Sequence, residues 1–289
     1  MPHVLRTDRL RVTVAPEIGA SLASFHATIG DETLPVLRDA PRDALTGHTA
    51  SPLSSFTLAP FGNRLENARF TFEGETFQLR ATSSDGTTQH GDVRNRPHTV
   101  VEASETRLLC QFDSRSVPDF NFPFPIFLRT TFEVDDNALV QTLELTNVGD
   151  RAMPAGLGLH PYFVGGADLR FDAQGFYDEL IPTKGMAPVP PELDFSSSRP
   201  VLDGVNHVFA SFGGTATLSY PAHTVEIAAD PVFTHLVVFA APDGSTAVEP
   251  MTHASNAFNL HERGVEGVGF QRLDVGQTLR GSVRISVGR

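Results

Sequence analysis

Short segments in which apolar and polar residues alternate recur along the whole chain. Alternation with a period of two predicts β-strands that bury one face, and these segments are bounded by glycine, proline and other turn-forming residues. The clearest such segments are residues 10–14, 68–72, 127–134, 139–145, 225–228, 235–240 and 279–287. Many short strands in succession predict a mostly β fold, as a large antiparallel sandwich or a barrel.

Helix-forming segments are scarce in this pattern. The 24 glycines and 21 prolines are spread throughout the chain, and long helices do not persist across such residues. Residues 51–58 are predicted to form one or two helical turns, with Ser51 as a candidate N-terminal cap. The proline-rich residues 182–191 are predicted to be a long loop, because alternation resumes after them. We therefore expect a single domain over residues 1–289, and no parallel α/β fold.

Composition and charge restrict the classes of function. The chain has 289 residues, of which 40% are hydrophobic, within the range of soluble globular proteins. Its formal net charge of −12 repels phosphate backbones, so nucleic acid is not an expected partner. No stretch approaches the roughly 18 apolar residues of a membrane span, and the first residues lack the apolar core of a signal peptide. We expect a cytoplasmic protein with no membrane partner.

Two segments in the first third of the chain carry candidate binding residues. Arg64 follows the turn-like sequence Pro-Phe-Gly-Asn, and its guanidinium suits a sugar hydroxyl, a phosphate or a carboxylate. A surface arginine at the start of a strand is the alternative. His90 precedes Gly91, where the backbone can approach a ligand closely, although a loop histidine without a special role fits the same pattern.

Two later segments carry candidate acid–base residues. His160 interrupts an apolar, glycine-rich run and is followed by Pro-Tyr-Phe, whose aromatic rings suit the C–H face of a pyranose. A hydrogen-bonded core histidine is the alternative. Glu249 follows the predicted strand 235–240 and the turn Pro-Asp-Gly, beside Pro250. A buried glutamate is costly unless it is paired or functional, whereas an exposed glutamate at a strand end needs no explanation.

Taken together, these segments resemble the aldose 1-epimerase (galactose mutarotase) family. The residues that carry the resemblance are Pro-Phe-Gly-Asn-Arg at 60–64, His-Gly at 90–91, His-Pro-Tyr-Phe at 160–163 and Glu-Pro-Met-Thr at 249–252. Their order also agrees with the family, and supporting stretches lie at 14–22, 122–128, 139–147 and 256–258. The resemblance therefore covers nearly the whole chain.

The resemblance implies a galactose mutarotase-like supersandwich with a sugar held in a cleft on one sheet. It implies that α and β anomers of a free aldose are interconverted without a metal or another cofactor. His160 is then the general acid and Glu249 the general base. The implied substrate-binding residues are Asn63, Arg64, His90, Arg94, Tyr162 and Asn206.

One position departs from the family pattern. Where the family usually carries an aspartate three residues before a phenylalanine, this chain has Asn206 before Phe209. Asparagine keeps an acceptor but loses the charge and adds a donor, which affects sugar preference more than the reaction. Asp203 lies nearby, but its spacing does not match.

The implied reaction requires particular protonation states of Glu249 and His160. Ring opening removes a proton from the C1 hydroxyl and adds one to the ring oxygen, so one base and one acid suffice. We expect Glu249 to be ionised and His160 to be protonated at neutral pH. If the two lie close together, each should favour the charged form of the other, and activity should fall at both acid and alkaline pH.

Three alternatives remain open from the sequence. Arg64, Arg94 and Arg96 are candidates for a phosphate site, which would suit a hexose-6-phosphate 1-epimerase on the same fold. A non-catalytic carbohydrate-binding protein would need the aromatic residues but no acid–base pair. A cupin-like metal protein is suggested by the 11 histidines, although no short-range ligand motif is present. A small-molecule sugar is the expected partner, and the protein is expected to be a monomer or a homodimer.

Overall fold

The structure is a computed structural model, and it describes residues 1–288. These residues form many short strands, one short α-helix and four single turns of 3-10 helix. The strands are β1 His3–Arg6, β2 Leu10–Ala15, β3 Ser21–Ile29, β4 Glu32–Pro35, β5 Thr57–Leu58, β6 Arg64–Leu65, β7 Arg69–Phe72, β8 Glu75–Gln78, β9 Thr88–Gln89, β10 Thr99–Ala103, β11 Arg107–Asp113, β12 Ile126–Val134, β13 Ala138–Asn147, β14 Met153–Ala155, β15 Gly158–Leu159, β16 Tyr162–Phe163, β17 Asp168–Phe171, β18 Gly175–Tyr177, β19 Arg199–Pro200, β20 Asn206–Ala210, β21 Thr215–Ser219, β22 Thr224–Ala229, β23 His235–Ala240, β24 Thr246–Met251, β25 Gln271–Leu273 and β26 Thr278–Gly288. The helix is α1 Ala257–Glu262, and the 3-10 turns are Ala44–Thr46, Glu66–Ala68, Ser114–Ser116 and Pro191–Leu193.

Two large sheets dominate the molecule. A nine-stranded sheet has the order β10-β11-β12-β13-β26-β22-β21-β17-β19. A seven-stranded sheet has the order β18-β20-β23-β24-β15-β5, and β16 also pairs with β24. A four-stranded sheet of β1 to β4 and three two-stranded ladders complete the fold. The strand pairs within the two large sheets are antiparallel, as the short alternating segments predict.

The main hydrophobic core is shared by one face of each large sheet. Leu143 of β13 and Val283 of β26 are buried in the same cluster as Leu236 and Val238 of β23. Because side chains alternate along a strand, the residues between them in β23 lie on the opposite face of the seven-stranded sheet. That opposite face carries Val237 and lines the candidate active site.

The strand predictions are confirmed, with boundary shifts of one or two residues. The segment 235–240 coincides with β23, and 139–145 lies within the longer β13. Cys110 is completely buried in β11, and burial raises the pKa of its thiol to about 12. The predicted mostly antiparallel β-sandwich is the observed fold, and residues 182–191 lie outside the strands.

The predicted helix at residues 51–58 is wrong. Ser51 does not cap a helix, and the segment is a turn that leads into β5. Its backbone pairs with two other parts of the chain, since Leu22 N–H donates to Ser55 O and Leu159 lies opposite Thr57. These hydrogen bonds to distant parts of the chain satisfy the backbone groups that a helix would have satisfied internally. The helix α1 was not predicted. No helix within residues 1–288 is long and apolar enough to cross a membrane.

Candidate active site

The register of the seven-stranded sheet places His160 directly opposite Glu249. Gly158 pairs with Met251, and Tyr162 pairs with Ala247. His160 lies midway between Gly158 and Tyr162 and therefore faces Glu249, which lies midway between Ala247 and Met251. Proline has no N–H to donate, and Pro161 separates β15 from β16 at this point. The two candidate acid–base residues are therefore cross-strand neighbours on one face.

The two side chains make a close and buried contact. His160 Nε2 lies 3.2 Å from Glu249 Oε1, and the residues are 5% and 2% exposed. The histidine ring packs against two aromatic rings, with centroid distances of 4.6 Å to Phe56 and 4.5 Å to Tyr162. Within residues 1–288, His160 Nδ1 and Glu249 Oε2 have no hydrogen-bond partner. A buried polar atom without a partner is costly, which makes this pair a candidate functional site.

Burial determines the protonation of the pair, and the expectation from the sequence is wrong in direction. Burial raises the pKa of Glu249 well above its ordinary value, and the positive charge of Arg64 offsets only part of the rise. Burial, followed by the positive charge of Arg94, lowers the pKa of His160 to about 3. Since desolvation disfavours both charged forms, burial favours a neutral histidine beside a protonated glutamate in the resting pair. The pair still holds one proton between its two facing atoms.

Asn63 and Arg64 are presented by a tight turn at residues 60–64, which we call the site turn. Asn63 has a left-handed backbone with φ of 53°. Its side-chain oxygen accepts a hydrogen bond from an Arg64 Nη1 at 3.2 Å, and Arg64 Nε also donates to Asp85. The Arg64 side chain is only 18% exposed, which contradicts the alternative of a freely exposed surface arginine.

His90 is joined to the site turn, and its hydrogen bonds define its tautomer. Asn63 N–H donates to His90 Nδ1 at 3.1 Å, so the ring proton of the neutral imidazole is on Nε2. Burial and the nearby Arg94 lower the pKa of His90 well below its ordinary value, which keeps the ring neutral. His90 is thus a neutral donor. The Gly91 backbone approaches Ala59 rather than a ligand, because a Cβ at Gly91 would lie 1.9 Å from Ala59 O.

Arg94 and Arg96 differ in position. The Arg94 guanidinium lies 5.2 Å from the centre of the Phe56 ring, and within residues 1–288 it forms no salt bridge. Burial lowers the pKa of Arg94, which reflects the cost of a poorly solvated cation. Arg96 instead pairs with Asp92 at 2.7 Å and with Asp119 at 2.9 Å. The expectation that Arg96 contributes to the same anion site is wrong.

Tyr162 and Asn206 lie on the same sheet face as the pair, in the neighbouring row. Tyr162 pairs with Ala247, which lies opposite Phe239, which in turn lies opposite Asn206. The Tyr162 ring is covered on one side by the guanidinium of Arg38 at 3.4 Å. Asp203 is exposed outside this row and does not replace the missing aspartate.

All eight residues singled out from the sequence line one cavity of about 220 Å³. The same cavity is lined by five residues that the sequence did not indicate: Ser51, Phe56, Gln89, Val237 and Phe239. Val237 and Phe239 belong to the predicted strand 235–240, so the alternation predicted a strand but not which of its faces meets the cavity. Within residues 1–288, no group of three or more histidine, cysteine, aspartate or glutamate side chains is arranged to hold a metal ion.

Comparisons with known proteins agree on one family. The model of the aldose 1-epimerase family matches residues 3–284. The uncharacterised protein YphB of Escherichia coli K12 is 28% identical over 250 residues, which cover 81% of this chain and 83% of that protein. The structure of a GalM/aldose epimerase homologue from C. elegans has a TM-score of 0.84 at 15% identity, covering 100% of this chain and 99% of that chain. Galactose 1-epimerase from Lactobacillus acidophilus NCFM has a TM-score of 0.77 at 17% identity, covering 98% and 93%.

The structural likenesses establish a galactose mutarotase-like fold over the full described length. The family match covers the segments that carry His160 and Glu249 as well as the binding residues. This chain belongs to the aldose 1-epimerase family.

Proposed function

We propose that the protein is a mutarotase that interconverts the α and β anomers of an aldose. The observation that carries the proposal is the buried contact of 3.2 Å between His160 Nε2 and Glu249 Oε1. A base and an acid must act on two oxygens bonded to the same anomeric carbon, so the two groups have to converge on one point. Their cavity is of monosaccharide size and is lined mainly by polar side chains.

Ring opening follows from the proposed roles. Glu249 takes the proton from O1 while His160 gives a proton to the ring oxygen, the bond between C1 and the ring oxygen breaks, and the C1 carbonyl forms. Rotation about the C1–C2 bond then presents the other face, and reversal of both proton transfers closes the ring. Each positioned proton transfer contributes about 10²–10⁴-fold to the rate.

The neutral resting pair suits this cycle. Ring opening leaves a protonated Glu249 and a neutral His160, which is the form that burial favours. Before the sugar opens, the proton passes from Oε1 to Nε2 across their direct contact and gives the ionised Glu249 and protonated His160 that the reaction uses. Reclosure of the ring returns this charged form. Burial therefore stabilises the pair in the form that accompanies the open-chain sugar.

The surrounding donors orient the sugar in this proposal. The Nε2–H of neutral His90 and the guanidinium of Arg64 donate to sugar oxygens, and they stabilise negative charge that develops there. The Phe239 and Tyr162 rings offer apolar surface to the C–H groups of the sugar.

The test is polarimetry of freshly dissolved α-glucose and α-galactose with wild type and Glu249→Gln. We expect faster relaxation with wild type and loss of the effect in the variant. Glu226→Gln, which changes an exposed carboxylate on β22, is the matched control and should behave as wild type. Equal relaxation of either sugar with and without the wild-type protein would count against a free-hexose mutarotase. If the wild-type protein binds the sugar but does not speed its relaxation, the result would favour a carbohydrate-binding protein instead.

A second candidate substrate is an aldose that carries a phosphate, and the position of Arg94 favours it. The half-buried Arg94 guanidinium forms no salt bridge within residues 1–288, and such a cation is suited to an anionic group of a ligand. We would compare glucose 6-phosphate with glucose in wild type, Arg94→Met and Arg96→Met. A phosphate role predicts a raised KM for glucose 6-phosphate in Arg94→Met only, because Arg96 is paired with Asp92 and Asp119 away from the cavity.

We also propose a partner, a biological role, a location and an oligomeric state for the protein. A sugar is the expected small-molecule partner, and we propose a role in carbohydrate metabolism in the cytoplasm, as a monomer or homodimer without nucleic acid or membrane partners. The net charge of −12 supports the exclusion of nucleic acid. Sedimentation velocity at several concentrations would decide the oligomeric state.

A further inference from the structure

Another buried histidine, His253, holds the site turn from outside the cavity lining. Gly62 N–H donates to His253 Nε2 at 3.1 Å, across 191 positions of the chain. Gly62 immediately precedes Asn63 and Arg64, the two residues of the turn that line the cavity. The hydrogen bond therefore acts on the backbone that presents these binding side chains.

The tautomer of His253 follows from its other hydrogen bond. His253 Nδ1 lies 2.7 Å from Ala254 O, and because a carbonyl oxygen only accepts, Nδ1 carries the proton. Nε2 then bears the lone pair that accepts from Gly62. The side chain is 1% exposed, and burial lowers its pKa to about 4, so the ring stays neutral at neutral pH.

The chain leaves space for this ring where it meets the turn. A Cβ at Gly156 would lie 1.9 Å from His253 Cδ2, so only glycine fits beside the ring. The same Gly156 donates its N–H to Pro60 O at 2.7 Å, which holds the start of the site turn. A Cβ at Gly62 would lie 2.3 Å from the Met251 side chain. Gly156 therefore allows the imidazole to lie beside the turn, and Gly62 allows the turn to pack closely on Met251.

The next amide of the turn is held by the other imidazole. Asn63 N–H donates to His90 Nδ1, and His90 N–H donates back to Asn63 O at 2.8 Å. Two consecutive amides, of Gly62 and Asn63, are thus bound by two neutral histidines on different segments. These bonds define the left-handed backbone of Asn63 and with it the direction in which Arg64 leaves the turn.

We propose that His253 is a positioning residue for sugar binding, which acts through Gly62 on Asn63 and Arg64. The inference rests on the proposed function for its consequence in catalysis, because it assigns those two side chains to the sugar. His253 itself does not line the cavity. Its loss should therefore weaken binding and leave proton transfer by His160 and Glu249 largely unchanged.

The test compares His253→Gln with His253→Asn. The amide oxygen of glutamine can replace Nε2 as the acceptor for Gly62, whereas the shorter asparagine can replace only the Nδ1 donor to Ala254. Each variant loses one buried hydrogen bond, so a merely structural role predicts similar losses of stability and parallel losses of activity. A positioning role predicts that the variants differ.

The expected result has three parts. His253→Asn raises KM by about fivefold to tenfold with kcat within about twofold, as loss of one hydrogen bond allows. Its Gly62 amide exchanges with solvent faster by a similar factor, while His253→Gln remains close to wild type in both measurements. The pair His235→Asn and His235→Gln is the control, since this buried histidine bonds Thr234 rather than the site turn.

Equal KM values, or equal Gly62 exchange, in the two His253 variants would overturn the inference. If His253→Asn does not fold, the test is an NMR scalar coupling across the hydrogen bond between Gly62 N and His253 Nε2 in the wild type. Absence of this coupling would contradict the proposed role of His253. A wild type without mutarotase activity defeats the proposed function alone, because the Gly62 measurements still decide whether His253 holds the turn.

Discussion

The inner face of the nine-stranded sheet and the cavity face of the seven-stranded sheet are built on the same alternation but carry different residues. On the first, Leu128 and Leu143 are fully buried in an apolar core. On the second, His160 and Glu249 are buried almost as deeply, although each is titratable. Burial of apolar groups stabilises a fold, whereas burial of titratable groups is costly. The comparison separates a scaffold from a site that gives up stability for chemistry.

The strongest test of this comparison removes the acid–base pair. In Glu249→Gln, His160→Gln and the double variant we expect kcat to fall by about 10³-fold or more, since each proton transfer contributes about 10²–10⁴-fold. The double variant should lose little more than either single one, because the two residues act as a unit. Stopped-flow polarimetry gives kcat. The urea midpoint should stay level or rise in Glu249→Gln, because the amide is buried without the proton uptake that the glutamate requires. A large loss of stability would erase the distinction between the two faces.

Acidification should destabilise the cavity side through its buried histidines. Burial lowers the pKa of His235 to about 3 and of His253 to about 4. The unfolded chain takes up protons at these residues below about pH 6.5 and the folded chain does not, so stability falls as the pH falls. At pH 5 each contributes a loss of about 2 kcal/mol relative to neutral pH.

Urea unfolding at pH 7.5 and pH 5.0 measures this loss. His253→Gln should remove about half of the part due to the two histidines. Leu143→Ala, which has no titratable group, should lower stability equally at both values. Equal losses in wild type and His253→Gln would contradict the burial of a neutral His253, because the raised pKa of Glu249 acts in the opposite direction in both proteins.

A substitution on the inner face of the nine-stranded sheet should lower stability and leave kcat unchanged, the opposite of a substitution in the acid–base pair. Leu143→Ala on β13 is expected to cost about 2–5 kcal/mol of stability, because it removes buried apolar atoms and leaves a cavity. At temperatures where the variant is folded, kcat should be unchanged. Calorimetry together with polarimetry checks both statements. A fall in kcat matching that of Glu249→Gln would show that the faces are not functionally separate.

The smallest effect is expected at the exposed side of the nine-stranded sheet. Arg107 on β11 pairs across strands with Glu133 on β12, and the two side chains are 36% and 49% exposed. Exposed ion pairs contribute about 0.2–1 kcal/mol. Glu133→Gln should therefore lower the unfolding free energy by less than about 1 kcal/mol, and added salt should reduce the difference further. A loss as large as that of Leu143→Ala would show that charge, not the core, stabilises this sheet.

Local pattern predicted most of the strands because alternation is a property of neighbouring residues. The segment 235–240 coincides with β23, and the others shifted by one or two residues at their ends. Residues 51–58 failed because their backbone partners, Leu22 and Leu159, are distant in the sequence. No local signal distinguishes a buried turn from a short helix when such partners decide the outcome.

The site residues were found through family resemblance, and their arrangement was not. All eight line one cavity, but the sequence offers no way to tell that Gly158 pairs with Met251 and so places His160 opposite Glu249. The same limit applies to protonation. Proximity of opposite charges was expected to favour the ionised pair, but the depth of burial dominates and reverses both shifts.

The sequence by itself determined the mostly β fold, because that follows from short alternating segments, and its resemblance to a known family identified the candidate acid–base residues. Only the tertiary structure decided which face of β23 meets the cavity, which of the candidate arginines forms no salt bridge within residues 1–288, and which histidines bind the site turn. Each of these depends on strand register and burial, and both arise from contacts between residues far apart in the chain.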